Sequence, residues 1–284
     1  MKGITDPLLE IKEYGSLLDS LNQNLRPVSV IGPSDSQKAH LVFSVCGHTG
    51  KKALYIAQNE IQARKIYEDF SFFLGDDVLL FPSKEVIMHD IKAKSNQEVF
   101  ARLNTLLNIH QKRFRLVVAS AESVMHKLMP PDMYRRSLIH LTAGTVVNLT
   151  DLSQKLVELG YERADIVEST GQFAVRGGIV DIYPPNYDFA IRVEFFGDEV
   201  DSIRRFDPAS QRSVEHMEEA VVTPSREIIY TLDMKPGITE RIQKSLKEYE
   251  KKTEGSKLSE RINADIDRIR FEHYFPGIDR YLPF

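Results

Sequence analysis

The stretch SVIGPSDSQKAH, Ser29 to His40, has the layout of a phosphate-binding loop without its chemistry. Such loops run strand, then GxxxxGK[ST], then helix. The apolar residues Val28, Val30 and Ile31 predict the strand, and Gly32 and Lys38 hold the first glycine and the lysine positions. Gln37 stands where the second glycine belongs, and Ala39 where the metal-holding hydroxyl belongs. Glycine is needed at the former because the backbone must approach phosphates closely, commonly at positive φ. The hydroxyl is needed because its oxygen sits on the magnesium that bridges the terminal phosphates. Gly32, Gln37, Lys38 and Ala39 are therefore a degenerate nucleotide loop. No functional ATP site and no cofactor are expected, and Lys38 is expected to cap or pair locally.

Outward from this loop, short apolar runs alternate with helical patterns as far as residue 128. Val28–Ile31, Ala53–Ala57, Val78–Phe81 and Leu116–Ala119 read as buried strands, being short, continuous and bounded by polar residues. Ala63, Ile66, Tyr67, Phe70, Phe73 and Leu74 fall at helical spacing after an Asn59 cap, and Val99, Phe100, Leu103, Leu106 and Leu107 mark a second helix. This alternation predicts an α/β domain with a parallel, P-loop-like sheet over residues 1–136. The proline pair Pro130-Pro131 interrupts the rhythm. Leu138–Leu141 then reads as a strand, and Asp151 to Leu159 as a helix capped by Thr150. Phe173–Val175, Ile179–Tyr183, Ile191–Phe196 and Val200–Phe206 follow as antiparallel strands joined by Gly or Pro-Asn turns. Residues 137–222 are read as an inserted small α+β domain. Ile238–Tyr249 and Leu258–Phe271 look helical, and 223–284 is read as a helical continuation packing on the first domain. The apolar ending PGIDRYLPF suggests a piece of a longer protein.

At 284 residues, 42% hydrophobic and 27% charged, the composition is that of a globular protein. No apolar run is long enough to span a bilayer, and MKGITDPLLE lacks a signal-peptide pattern, so the cytoplasm is the expected location. The net charge of −4 comes with no isolated Lys/Arg block, so nothing in the overall charge calls for sequence-blind DNA binding. The single cysteine, Cys46, excludes an internal disulfide and a cysteine-cluster metal site, and reads as a buried core residue.

Strand parity singles out one face of the β-rich domain. In Ile191–Phe196, the residues Ile191, Val193 and Phe195 share the core side, leaving Arg192, Glu194 and Phe196 on the other. Phe173 and Val175 likewise leave Ala174 and Arg176 outward, just before Gly177-Gly178. Two arginines and a phenylalanine on the outer side of adjacent strands have the composition of an interface hot spot. The competing reading pairs Arg192 with Glu194 or Asp198 across a solvated sheet, where it contributes little.

The block FAVRGGIVDIYPP (Phe173–Pro185), followed by IRVEFFGDEVDSIRRFDPASQRS, resembles the family shared by bacterial transcription-repair coupling factors and the excision-repair protein UvrB. FPSKEVIMHD (Phe81–Asp90), FARLNTLL (Phe100–Leu107) and the degenerate loop match the amino-terminal UvrB-homology module of the coupling factors. The resemblance implies a module that docks onto UvrA through Arg176, Arg192 and Phe196, with Glu194 and Asp198 as flanking candidates. It further implies recruitment of UvrA to stalled transcription complexes. RNA polymerase and DNA are then bound by other parts of a longer, ATP-dependent translocase. UvrB proteins that act on DNA keep an intact loop and a tyrosine-rich hairpin, whereas no tyrosine lies between Phe81 and Phe100 here. Aromatic platforms for unpaired bases are thereby lost.

Other chemistry is set aside. Asp198-Glu199-Val200-Asp201 mimics a helicase acidic box but follows Phe196-Gly197 as a hairpin turn. His40, His48, His89, His110, His126 and His140 show no metal-ligand spacing with carboxylates, so no metal site is expected. Two further classes compete with a non-catalytic interaction module. An ATP-dependent translocase or helicase lobe needs nucleotide at Gly32–Ala39, and a damaged-DNA reader needs steeply salt-dependent DNA binding.

Overall fold

Three of the apolar runs of the amino-terminal half form a parallel sheet. β1 (Ala53–Ala57), β2 (Val78–Phe81) and β3 (Leu116–Ser120) lie in the order β1-β3-β2, with Ala53 and Val78 both level with Leu116. β3 is central and buried at every position, which is why it reads as an unbroken apolar run. The computed structural model describes residues 2–84, 96–229, 234–251, 257–271 and 278–281. Most of the motif Phe81–Asp90 lies outside the described residues.

Two units divide the chain, Met1–His126 and Lys127–Phe284. In the first, α1 (Lys2–Thr5), α2 (Lys12–Asn22) and α3 (Asp35–Thr49) precede β1. α4 (Glu60–Leu74) lies between β1 and β2, α5 (Gln97–His110) precedes β3, and α6 (Ala121–Met125) follows it. Asn59 caps α4 as expected, its side chain accepting the Gln62 N–H. Ala63, Ile66 and Phe70 of α4 pack on Val78, Leu116 and Val118 of the sheet. Cys46 is buried on α3, and burial pushes its thiol pKa up.

The strand expected over Val28–Ile31 is not formed. The segment runs extended and exposed, with Ile31 95% accessible. An apolar run becomes a strand only where a neighbour takes up its backbone groups. Among the described residues β1 pairs with β3 alone, and no ladder reaches 28–31. Pro27 and Pro33 bracket the run and lack the N–H that a ladder would need.

In the second unit the proline pair does not merely stop a helix. Pro131 is the first residue of α7 (Pro131–Ser137), a position where its fixed φ suits the helix and its missing N–H costs nothing. β4 (Ile139–Thr142) follows, then α8 (Leu149–Glu158). The cap of α8 is Asn148 and not Thr150. The Asn148 side chain accepts the N–H groups of Thr150 at 2.9 Å and Asp151 at 3.4 Å, so the helix starts earlier than its apolar spacing indicates.

β5 (Glu162–Arg163), β6 (Gln172–Arg176), β7 (Ile179–Ile182), β8 (Ala190–Phe196), β9 (Glu199–Asp207) and β10 (Arg212–Met217) build one sheet in the order β10-β9-β8-β7-β6-β5. It is antiparallel except for the β5–β6 edge pair. Phe173, Ile182 and Ile191 share one cross-strand row and Val180, Val193 and Ile203 the next, all buried. β11 (Glu219–Val222) returns to pair antiparallel with β4. Asn186 of the Pro-Pro-Asn turn fastens this return by donating to the Val221 carbonyl at 2.8 Å and accepting the Thr223 hydroxyl at 3.0 Å. α9 (Lys235–Glu250) and α10 (Lys257–Phe271) bury Ile238 and Ile269 against Ile228 and Ile278. The architecture is thus mixed α/β, a parallel three-stranded sheet in one unit and antiparallel sheets in the other. Among the described residues no helix is long and apolar enough to cross a membrane.

Candidate functional site

β6 and β8 run in the same direction, so both end at the same rim of the six-stranded sheet. Arg176 is the last residue of β6 and Phe196 the last of β8. Each is followed by a glycine turn. Gly197 has φ +64°, and a Cβ on Gly178 would lie 2.9 Å from the Phe195 carbonyl oxygen. The Phe195 N–H donates to the Gly178 carbonyl at 2.7 Å, so the two hairpin tips are tied together by backbone. Register sets Asp181, Arg192 and Arg204 in one cross-strand row, and Arg176, Ile179, Glu194 and Ser202 in the next. Arg176, Arg192 and Phe196 therefore share the face that strand parity assigns to them. Phe196 is 84% exposed.

The arginines are not free, and their partner is neither Glu194 nor Asp198. Both grip Asp181, whose side chain is 1% exposed. Arg192 donates from Nε to one carboxylate oxygen at 2.6 Å and from Nη2 to the other at 2.9 Å. Arg176 donates from Nη2 to that second oxygen at 2.7 Å. The hydrogen bond from Asp181 raises the Arg192 pKa further, against the opposing pull of burial. A buried carboxylate is tolerable only when its charge is matched and its lone pairs are used, and two guanidinium groups do both. Arg192 side-chain exposure is 13% against 47% for Arg176, so Arg192 is the anchored member and Arg176 the outer one.

Beneath them the face is packed. The Arg192 guanidinium lies 4.3 Å from the centroid of the Phe206 ring, a cation–π contact. Phe206 is itself buried with Val167, Ala174 and Ala190. Ala174, expected to point outward to solvent, is thus covered. Glu194 accepts the Ser202 hydroxyl at 2.9 Å. Asp198 turns toward Asn148, accepting from its amide at 3.2 Å, while its backbone carbonyl accepts the Val147 N–H at 2.7 Å. Asp198 thereby lies in the hairpin turn, but the expected turn Asp198–Asp201 is shorter than read. Only Gly197 and Asp198 form it, while Glu199, Val200 and Asp201 already belong to β9, which pairs with β8.

At the degenerate loop the polar groups face one another. Ser34 precedes α3 as its N-cap, and the Gln37 side-chain oxygen accepts the Ser34 N–H at 2.9 Å and its hydroxyl at 3.1 Å. In a phosphate-binding loop such N–H groups point at the ligand. Lys38 pairs with Asp35 at 2.8 Å, raising the lysine pKa and lowering that of the carboxylate. Ala39 is buried in the core of the unit. Gly32 and Lys38 border a cleft of about 380 Å³ whose other walls are Val30, Ile31, Pro33, Leu41, Val42 and Tyr55. Lys38 is the one charged residue of that lining, so the cleft offers little to a triphosphate.

Residues 139–228, which contain this sheet, match the family model described as the UvrB interaction domain. Over 94% of its length the chain is 31% identical to the transcription-repair-coupling factor of Bacillus subtilis, of which it covers 23%. The corresponding protein of Myxococcus xanthus is 31% identical over 79% of the chain. The UvrABC system protein B of Thermotoga petrophila is 29% identical over 93% of the chain, which covers 43% of it. The chain is thus similar to both kinds of protein and carries the UvrB interaction domain over residues 139–228, and the resemblance read from its motifs is borne out. It spans about a quarter of the length of the coupling factor and less than half of the UvrB protein it matches.

Proposed function

We propose that this chain is the UvrB-like module of a transcription-repair coupling factor that recruits UvrA for nucleotide excision repair in the bacterial cytoplasm, with no turnover of its own. The observation that carries this reading is the placement of Arg176, Arg192 and the exposed Phe196 ring on one face of the interaction-domain sheet, Arg176 and Phe196 at its rim. Arginine and aromatic side chains dominate interface hot spots, each contributing about 2 kcal/mol or more. In the longer protein, RNA polymerase and DNA are engaged by other parts, and those parts supply the ATP-driven translocation. Residues 1–136 serve as a degenerate P-loop-like frame, 137–222 as the UvrA-binding domain and 223–284 as a helical continuation. The self-satisfied loop from Ser34 to Ala39 supports the choice of a docking module over an ATP-handling lobe. Phe196→Ala tests the reading: UvrA binding measured by surface plasmon resonance weakens by about thirtyfold. Undiminished binding removes the ring from the interface.

A further inference from the structure

Asp181 shares the face of Arg176 and Arg192 but is buried in it and is none of the candidate contacts, yet both contact arginines converge on it. The carboxylate sits in the middle strand of the β6-β7-β8 meander, directly opposite Arg192 on one side and Ala174 on the other. Arg192 is fixed through two nitrogens, the fork geometry that best defines the plane of a guanidinium. Among the described residues its third nitrogen, Nη1, has no hydrogen-bond partner. Arg176, again among the described residues, has only one of its nitrogens engaged, and Asp181 is what draws that flexible side chain over the sheet from its place beside Gly177. Phe206 supplies a floor under Arg192 but no polar direction. The remaining N–H groups are left as donors along the outer edge of the pair. Without Asp181 two long, rotamer-rich side chains are ordered only at the moment of binding, at a cost of affinity.

Resting on the reading of this face as the UvrA-docking surface, we propose that Asp181 is its positioning residue, a buried carboxylate that presets the Arg176 and Arg192 guanidinium groups so that their free edges meet acceptors on the partner. Asp181 does not itself touch the partner. Its influence on affinity runs through the two arginines, Arg192 above all.

The test uses the purified chain and UvrA, with affinity read by surface plasmon resonance and folding by circular dichroism and thermal melting. Asp181→Asn, in a folded state, weakens UvrA binding by about tenfold. Arg192→Lys keeps the charge but not the fork, and loses nearly as much affinity as Arg192→Ala. Adding Asp181→Asn to Arg192→Ala produces a much smaller further loss than it does in the wild type. In nitrogen-detected NMR of the chain alone, the protected Arg192 Nε–H signal is lost in Asp181→Asn. Folded Asp181→Asn binding UvrA as tightly as the wild type overturns the proposal, as does full rescue by lysine at position 192. If Asp181→Asn does not fold, Asp181→Glu decides: it keeps the charge but displaces both guanidinium groups, and wild-type affinity in this variant overturns the proposal. Failure of the wild-type chain to bind UvrA is a different result, which removes the docking reading itself and this inference with it.

Discussion

The loop at Ser34–Ala39 and the rim at Arg176–Phe196 treat their polar groups in opposite ways. In the loop, side chains fold back on their own backbone: Gln37 takes the Ser34 N–H and Lys38 closes on Asp35. At the rim, side chains are held away from the backbone by a buried acid and an aromatic floor, leaving a ring and guanidinium edges outward. A site that satisfies itself has nothing left for a ligand. A site braced from beneath while its outer edge stays unsatisfied is ready for one. The same chain carries both, and the difference lies in where each donor finds its acceptor.

The largest effect that can break this comparison is removal of the floor. Phe206→Ala excises a fully buried ring beneath Arg192 and is expected to cost about 3–5 kcal/mol in thermal or urea unfolding. A much smaller loss would mean that the face is not built on the core of its sheet. At the loop the corresponding change is mild. Gln37→Ala removes a reciprocal cap from an exposed helix end and is expected to cost about 1 kcal/mol. Calorimetry of the wild-type chain with ATP and magnesium is expected to give no binding in the micromolar range. Heat at that level would show that Lys38 still receives phosphates. Smaller again is Lys38→Ala, which breaks only an exposed ion pair and leaves the melting temperature unchanged. Cys46, with its thiol pKa raised by burial, is expected to resist alkylation at pH 8 until the chain is unfolded. Rapid labelling of the folded chain would contradict its place in the core.

Much of this was legible in the residues. Alternation in Ile191–Phe196 separates Val193 from Arg192 and Glu194 because side chains on a strand have a strict period of two. The Asn59 cap and the strand runs of β1, β2 and β3 follow equally local rules. Of these strands only β3 is buried throughout, whereas Leu54 and Ile56 leave β1 half exposed, contrary to its reading as a buried strand. What was not legible depends on pairing between segments distant in sequence. Asp181, flanked by Val180 and Ile182, reads as one polar residue within a buried strand, and only the register of β7 with β6 and β8 sets it opposite Arg192 and within reach of Arg176 from the next row. β10 escaped because Arg212–Met217 is exposed nearly throughout and so carries no alternation. The run Val28–Ile31 has the composition of a strand, but composition does not reveal whether a neighbour is present to complete the ladder.

The central claim is that a braced arginine pair beside an exposed ring is the docking surface for UvrA. Its most direct test is the affinity of UvrA for the wild-type chain and for Arg176→Ala/Arg192→Ala, measured side by side with both shown to be folded. The account predicts binding by the wild type and a loss of at least about a hundredfold in the double variant. Equal affinities would contradict it.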